Sequence, residues 1–318
     1  MMPPIPAMLA PAVVTGNVAD PHWYWWIIGY FFLGGIAGGA YLTAAVSDLV
    51  APRENRAVAQ AGYLLALPLI AACGLLLTLD LGRPERFWHM LWNVTTNQPG
   101  FKYWSPMSYG SWILTGIGGF SFLSALLVLA EWRGLLAGLR EGPLGKVIAA
   151  LGGIFAILFV SYTGVVLNAT NQRIWGDNSL LGALFAASGI STGIAAIALI
   201  LALGRRRGAG LEGGAGREPR EGLLHRLERA DLLAIAVELL LILALVAWLA
   251  NQNVAAPLIG GGIGLALWVG VVLLGLLVPL ALYLRPRLLG GLTPVVAPVL
   301  ALAGGFILRW AILMAAQA

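Results

Sequence analysis

The chain has 318 residues, of which 59% are hydrophobic and only 10% charged, with a mean hydropathy of +0.86. That balance excludes a water-soluble globular domain, and a net charge of +5 dispersed in short segments between apolar runs excludes the basic surface of a nucleic-acid binder. The single cysteine, Cys73, lies inside an apolar run, which excludes an internal disulfide or a four-cysteine iron-sulfur site and reads as a small buried side chain.

Residues 1–23 carry several prolines and no basic n-region, so they read as an exposed exterior arm rather than a cleaved signal peptide. Eight apolar runs follow, each near the ~20 residues that cross a bilayer. They extend from Tyr24 to Ser47, Gln60 to Leu79, Ser108 to Leu129, Val147 to Leu167, Leu180 to Leu203, Leu232 to Leu249, Gly261 to Tyr283 and Pro294 to Met314. The expected fold is all-α, a polytopic membrane domain spanning residues 1–318. Arg309, inside the last run, must sit near an interface or in a polar interior.

An even number of spans puts both termini on one side, with the long segment from Asp80 to Met107. The opposite side carries fourteen of the nineteen Lys and Arg residues, from Arg53 to Arg287, and the positive-inside rule makes it cytoplasmic. The long segment then faces the periplasm or exterior of a bacterial inner membrane. Histidines occur only at His22, His89 and His225, in end or loop segments, which argues against a bis-histidine haem within the membrane.

In the first span, Gly34, Gly35, Gly38 and Gly39 leave room for another backbone or a flat ligand to approach closely. Asp48 closes that span at its cytoplasmic end. Asp80 ends the second span, where it either pairs with Arg83 or Arg86 or passes protons between water and a membrane ligand. The following segment mixes charges with Phe87, Trp88, Trp92, Phe101, Tyr103 and Trp104. These aromatics suit an interfacial belt, but a docked partner explains the added polar residues more economically.

Tyr162 lies in the outward half of the fourth span, with Asn168 near its exit. Its phenol is either an interfacial anchor or a hydrogen-bond donor to a ring carbonyl such as that of a quinone. His22, Trp26, Tyr30, Ser105, Tyr109 and Gln172 are further outward polar groups. Residues 204–231 alternate Arg and Glu among glycines and read as a cytoplasmic charged linker. Glu238, seven residues beyond Asp231, falls about 10 Å along the next helix, where a lipid-facing carboxylate is costly. It therefore faces the bundle interior, pairs, or stays protonated, and with Asp48 it is a proton-path candidate.

Three stretches together resemble the NrfD/PsrC family of quinone-interacting membrane subunits. They are GYFFLGGIAGGAYL in the first span, LDLGRPERFWHML with SPMSYGSW around the long segment, and YTGVVLNATNQRIW followed by SGISTG in the fourth and fifth spans. The resemblance implies two adjoining four-helix bundles holding no haem, iron-sulfur cluster or metal. It implies a quinone or quinol, menaquinone by expectation, and partners in the form of an outward iron-sulfur subunit and a molybdopterin catalytic subunit. The active site for the soluble substrate would lie on that other subunit.

By the same resemblance Tyr162 corresponds to the family's quinone-contacting tyrosine, while first-helix contacts fall near Ile27 and Tyr30, where the polysulfide reductase subunit has an asparagine and a histidine. Tyr30 can replace one hydrogen bond, but its high reference pKa makes it a poorer proton shuttle than histidine, a role left to His22 or His89. The expected catalytic group is thus Tyr162, His89 and Asp80, with Trp26, Tyr30, Tyr109 and Asn168 completing the quinone site. A secondary transporter or a non-catalytic assembly subunit is the competing reading. Against transport stands the lack of an internal repeat or paired broken helices.

Overall fold

A computed structural model describes residues 23, 25–135, 138–206 and 220–317. His22, the rest of the N-terminal arm but Trp23, and residues 207–219 of the charged linker lie outside the described residues. Eight helices are long and apolar enough to cross a membrane. They are α1 (Trp25–Val50), α2 (Arg56–Asp80), α3 (Pro106–Trp132), α4 (Pro143–Asn168), α5 (Leu180–Arg206), α6 (Arg220–Asn251), α7 (Gly261–Leu284) and α8 (Thr293–Ala315).

Local chemistry explains the helix starts. Pro106 and Pro143 occupy first turns, where a missing N–H costs nothing, and the Ser105 hydroxyl accepts from the Ser108 N–H to cap α3. The helix of α6 begins at Arg220, so the last twelve residues of the charged segment continue straight into the sixth span. Within α7, Ala266–Leu277 wind as a π-helix, an uncommon geometry at this length.

Helices α1 to α4 form one antiparallel bundle and α5 to α8 a second, joined where α1 packs on α5. Glycine makes that junction possible. A Cβ on Gly193 would lie 2.6 Å from the Gly39 Cα, and one on Gly189 would lie 3.3 Å from the Gly35 Cα. The two helices therefore meet backbone to backbone through matching four-residue glycine spacings. The other pair, Gly34 and Gly38, receives Phe159 and Val160 of α4 instead.

Between α2 and α3 the chain forms a 3-10 turn, Pro84–Met90, and a two-residue hairpin pairing Trp92 with Pro99 and Asn93 with Gln98. Asn97 takes a left-handed φ of 52° in its loop, and the Asn93 side chain accepts from the N–H groups of Thr95 and Thr96. This ordered segment lies over one end of the first bundle, called here the long-loop end. The other is the arginine end.

A candidate ligand cavity and two buried polar clusters

A cavity of about 390 Å³ opens at the long-loop end of the first bundle. Ile27, Tyr30 and Phe31 of α1, Leu77, Thr78 and Asp80 of α2, Met107, Ser111 and Thr115 of α3, and Tyr162 and Val166 of α4 line it. Phe87 and Met90 of the 3-10 turn cover its outer side, and Trp23 supplies part of the wall. Of the residues singled out from the sequence, the cavity brings together Ile27, Tyr30, Tyr162, Asp80 and Phe87. Tyr30 and Tyr162 are mostly enclosed, and no hydrogen-bond partner is found for either hydroxyl among the described residues. Asp80 is exposed at the rim and forms no ion pair with Arg83 or Arg86.

The remaining candidates stand apart. His89 is exposed with its ring 4.1 Å from that of Trp88, Tyr109 packs edge-on against Phe101 at 5.2 Å, and Trp26 is about half exposed on the helix flank. Asn168 is committed to structure: its side-chain oxygen accepts from the Asn178 N–H at 2.7 Å and closes the α4–α5 connection.

Trp23 is a wall residue that sequence reasoning missed. It stacks on Trp175 with ring centroids 5.5 Å apart, and its carbonyl accepts from Gln317 Nε2 at 3.1 Å. Trp175 is fully buried and donates its indole N–H to the Ile312 carbonyl at 2.8 Å. Both anchors lie more than 150 positions away in sequence, so no local pattern reports them.

Below the cavity, α1 to α4 present buried apolar side chains, among them Ala37, Ile70, Ile117 and Phe159. Beyond these lies a charged cluster at the arginine end. Arg140, on the turn between α3 and α4, donates to Asp48 and, at 3.1 Å, to Glu131, which Arg56 also approaches at 2.9 Å. Burial opposes the charge on Arg140, but Asp48 and Glu131 outweigh it and hold the guanidinium's pKa above its ordinary value. Asp48 therefore sits in an ion cluster, with the Tyr41 hydroxyl bonded to Ser124 Oγ at 2.8 Å close by on α1.

The second bundle contains its own buried polar group. Arg309 is 1% exposed, donates from Nη1 to Ser188 Oγ and to the Gly305 carbonyl, both at 2.7 Å, and lies 5.7 Å over the Phe185 ring. Gly35 of α1 makes room for it, since a Cβ there would be 2.6 Å from Arg309 Nη2. Glu238 is equally enclosed, within reach of Ser188 and in the field of Arg309. Asp231, one i,i+7 step before Glu238 on α6, accepts from Ser191 Oγ at 2.7 Å and from the Tyr283 hydroxyl at 3.0 Å. That seven-residue spacing was the available signal for Asp231, which reads by sequence alone as the end of a linker.

Among the described residues, no three His, Cys, Asp or Glu side chains gather to hold a metal ion. A family model described as "Polysulphide reductase, NrfD" matches residues 13–318. The C subunit of the Wolinella succinogenes polysulfide reductase is 29% identical over 284 residues, covering 82% of each protein. Protein NrfD of Escherichia coli and the NrfD homolog of Haemophilus influenzae are each 28% identical, over 93% of this chain and 95% and 94% of theirs. With a family model matching nearly the full length and eight membrane-spanning helices, the chain belongs to the NrfD polysulphide reductase family.

Proposed function

We propose that the chain is the quinone-reactive membrane subunit of a multisubunit oxidoreductase, with the cavity at the long-loop end as its head-group site. The observation that carries this reading is a pair of phenol hydroxyls, Tyr30 and Tyr162, without hydrogen-bond partners among the described residues, in a mainly apolar cavity that ends at the Asp80 carboxylate. A quinone head group is flat, apolar in its body and bears two carbonyl acceptors. The two phenols would donate to those acceptors while Trp23 and Phe31 pack against the ring.

When bound, the quinone or quinol, menaquinone by expectation, supplies a two-electron, two-proton exchange. The protein residues have simpler tasks. Tyr162 and Tyr30 orient the head group, the apolar walls exclude water, and Asp80 accepts or returns a proton on its carboxylate at the rim.

The sequence has no cysteine set to hold a cluster, so an external iron-sulfur subunit is the fitting electron partner, beside a molybdopterin catalytic subunit. Its docking face would be the long-loop end, where Phe87, Trp88, Trp92, Phe101, Tyr103 and Trp104 are exposed. The arginine bias supports placing this end in the periplasm. Proton translocation is a second part of the reading, favoured by the enclosed carboxylates Glu238 and Asp231 with Arg309.

The test is quinol-driven reduction of the iron-sulfur clusters in the intact complex. Removing one neutral hydrogen bond in Tyr162→Phe is expected to weaken quinol binding about fivefold to tenfold. Unchanged affinity and rate would remove Tyr162 from the site. Failure of every quinol and quinone to exchange electrons with the complex would sink the whole reading in favour of a transport or assembly role.

A further inference from the structure

The Tyr162 phenol reaches the cavity by way of a notch in α3. Gly110 is buried near the start of that helix, and a Cβ built on it would lie 2.5 Å from Tyr162 Cε1 and closer still to Cζ and Oη. Carbon atoms in comfortable contact are about 3.5–4.0 Å apart. An alanine at this position would therefore overlap the hydroxyl-bearing end of the ring. The obstacle is the tip of a side chain, not backbone, so the ring must yield while the helix stays.

Backbone conformation does not call for glycine here. Gly110 lies within regular α-helix and has no left-handed φ, and alanine is the better helix former by about 1 kcal/mol. Not every glycine of α3 makes such a notch: Gly116 does, receiving the Phe155 ring of α4, which carries no polar atom, whereas a Cβ on Gly119 meets nothing within 4 Å. A second tyrosine sits in a similar notch, Tyr41 against Gly152 of α4. There the hydroxyl is satisfied by Ser124 at 2.8 Å, whereas the Tyr162 hydroxyl has no partner among the described residues and belongs to a residue lining the cavity. The same device serves packing in one case and leaves a donor available in the other.

We propose that Gly110 is a positioning residue, and that the missing side chain at this α3 position sets the depth and aim of the Tyr162 hydroxyl and thereby the fit of the head group. The part concerning the head group rests on the quinone reading given above. The part concerning the ring does not.

The experiment uses the intact complex with 3-fluorotyrosine placed at position 162, in three forms: unaltered, Gly110→Ala, and Gly119→Ala as the helix control. Fluorine NMR reads the ring's surroundings, thermal unfolding checks folding, and menaquinol titration of cluster reduction reads binding and rate separately. In Gly110→Ala the resonance should shift and the half-saturating quinol concentration rise about fivefold to tenfold, with a smaller change in maximal rate. Gly119→Ala should change neither. In a Tyr162→Leu background, Gly110→Ala should add no further loss, because the clashing ring end is gone.

An unmoved resonance in Gly110→Ala overturns the proposal outright. So does an equal loss of quinol affinity with and without the Tyr162 ring, which would make Gly110 a packing residue only. A shifted resonance with quinol behaviour unchanged in both Gly110→Ala and Tyr162→Phe upholds the ring-positioning claim and overturns the quinone reading of the cavity.

Discussion

Three polar residues that look alike in the sequence differ sharply in their surroundings. Asp80 is exposed at the cavity rim with no ion pair among the described residues, Asp48 is locked to Arg140, and Glu238 is enclosed beside Arg309. Arg140 serves both Asp48 on α1 and Glu131 on α3 from a turn, and it is 5% exposed. Replacing it with Met leaves the buried Asp48 carboxylate without its cation and Glu131 with Arg56 as its remaining one, which should cost about 3–5 kcal/mol and appear as a lower melting temperature in detergent. Arg140→Lys should recover part of that loss, since one ammonium can face only one carboxylate well. Counting along a helix gives how far along its axis such a residue lies, because rise per residue is fixed. It did not give the direction each side chain points. Tyr109 and Trp26 have the right depth for the cavity but face away from it, and Asn168 is occupied in capping a loop.

At the level of helices, all eight spans were legible from apolar runs, with ends displaced by the polar turns that continue the helix beyond the hydrocarbon. The sixth shows the largest displacement, since Arg220 to Ala230 are too charged to register as membrane helix yet hydrogen-bond as one continuous helix with Asp231 to Asn251. The glycines of α1 signalled close approach, and the partner is now identified as the glycine pair of α5. Gly193→Val would drive a branched side chain into the backbone at Gly39 and Ala40. Overpacking of this kind should destabilise by about 1–3 kcal/mol or separate the bundles, measured as earlier unfolding and faster proteolysis of the α5 connections. Gly74→Ala, with nothing within 4 Å of its Cβ, is the matched substitution expected not to lower stability.

The molecule as a whole combines two bundles with different polar layouts. In the first, buried apolar side chains separate the cavity from the Asp48 cluster, while in the second a polar group occupies the interior near mid-helix. If the second bundle carries protons, Glu238→Gln should abolish proton uptake by vesicles holding the complex while quinol-driven cluster reduction continues. Equal loss of both activities would instead assign Glu238 to stability. Long-range partnership was the least readable property of the sequence: Trp175 and Gln317, from two distant segments, hold Trp23 in the cavity wall.

The glycine junction also bears on how the protein is made. In α1 and α5, 72% of the most apolar window is covered by protein, against 28–39% in the other six spans, so α1 is ill suited to stand alone in lipid. Yet α1 precedes every other span in the chain, and its glycine partner follows about 150 residues later, which at ordinary synthesis speeds is a delay of ~10–30 s. Until α5 emerges, the notched face of α1 has only lipid, or a membrane chaperone, to cover it. Biosynthesis of this subunit thus contains a vulnerable interval set by the order of its helices, during which quality-control proteases meet a first bundle whose α1 junction face is still uncovered.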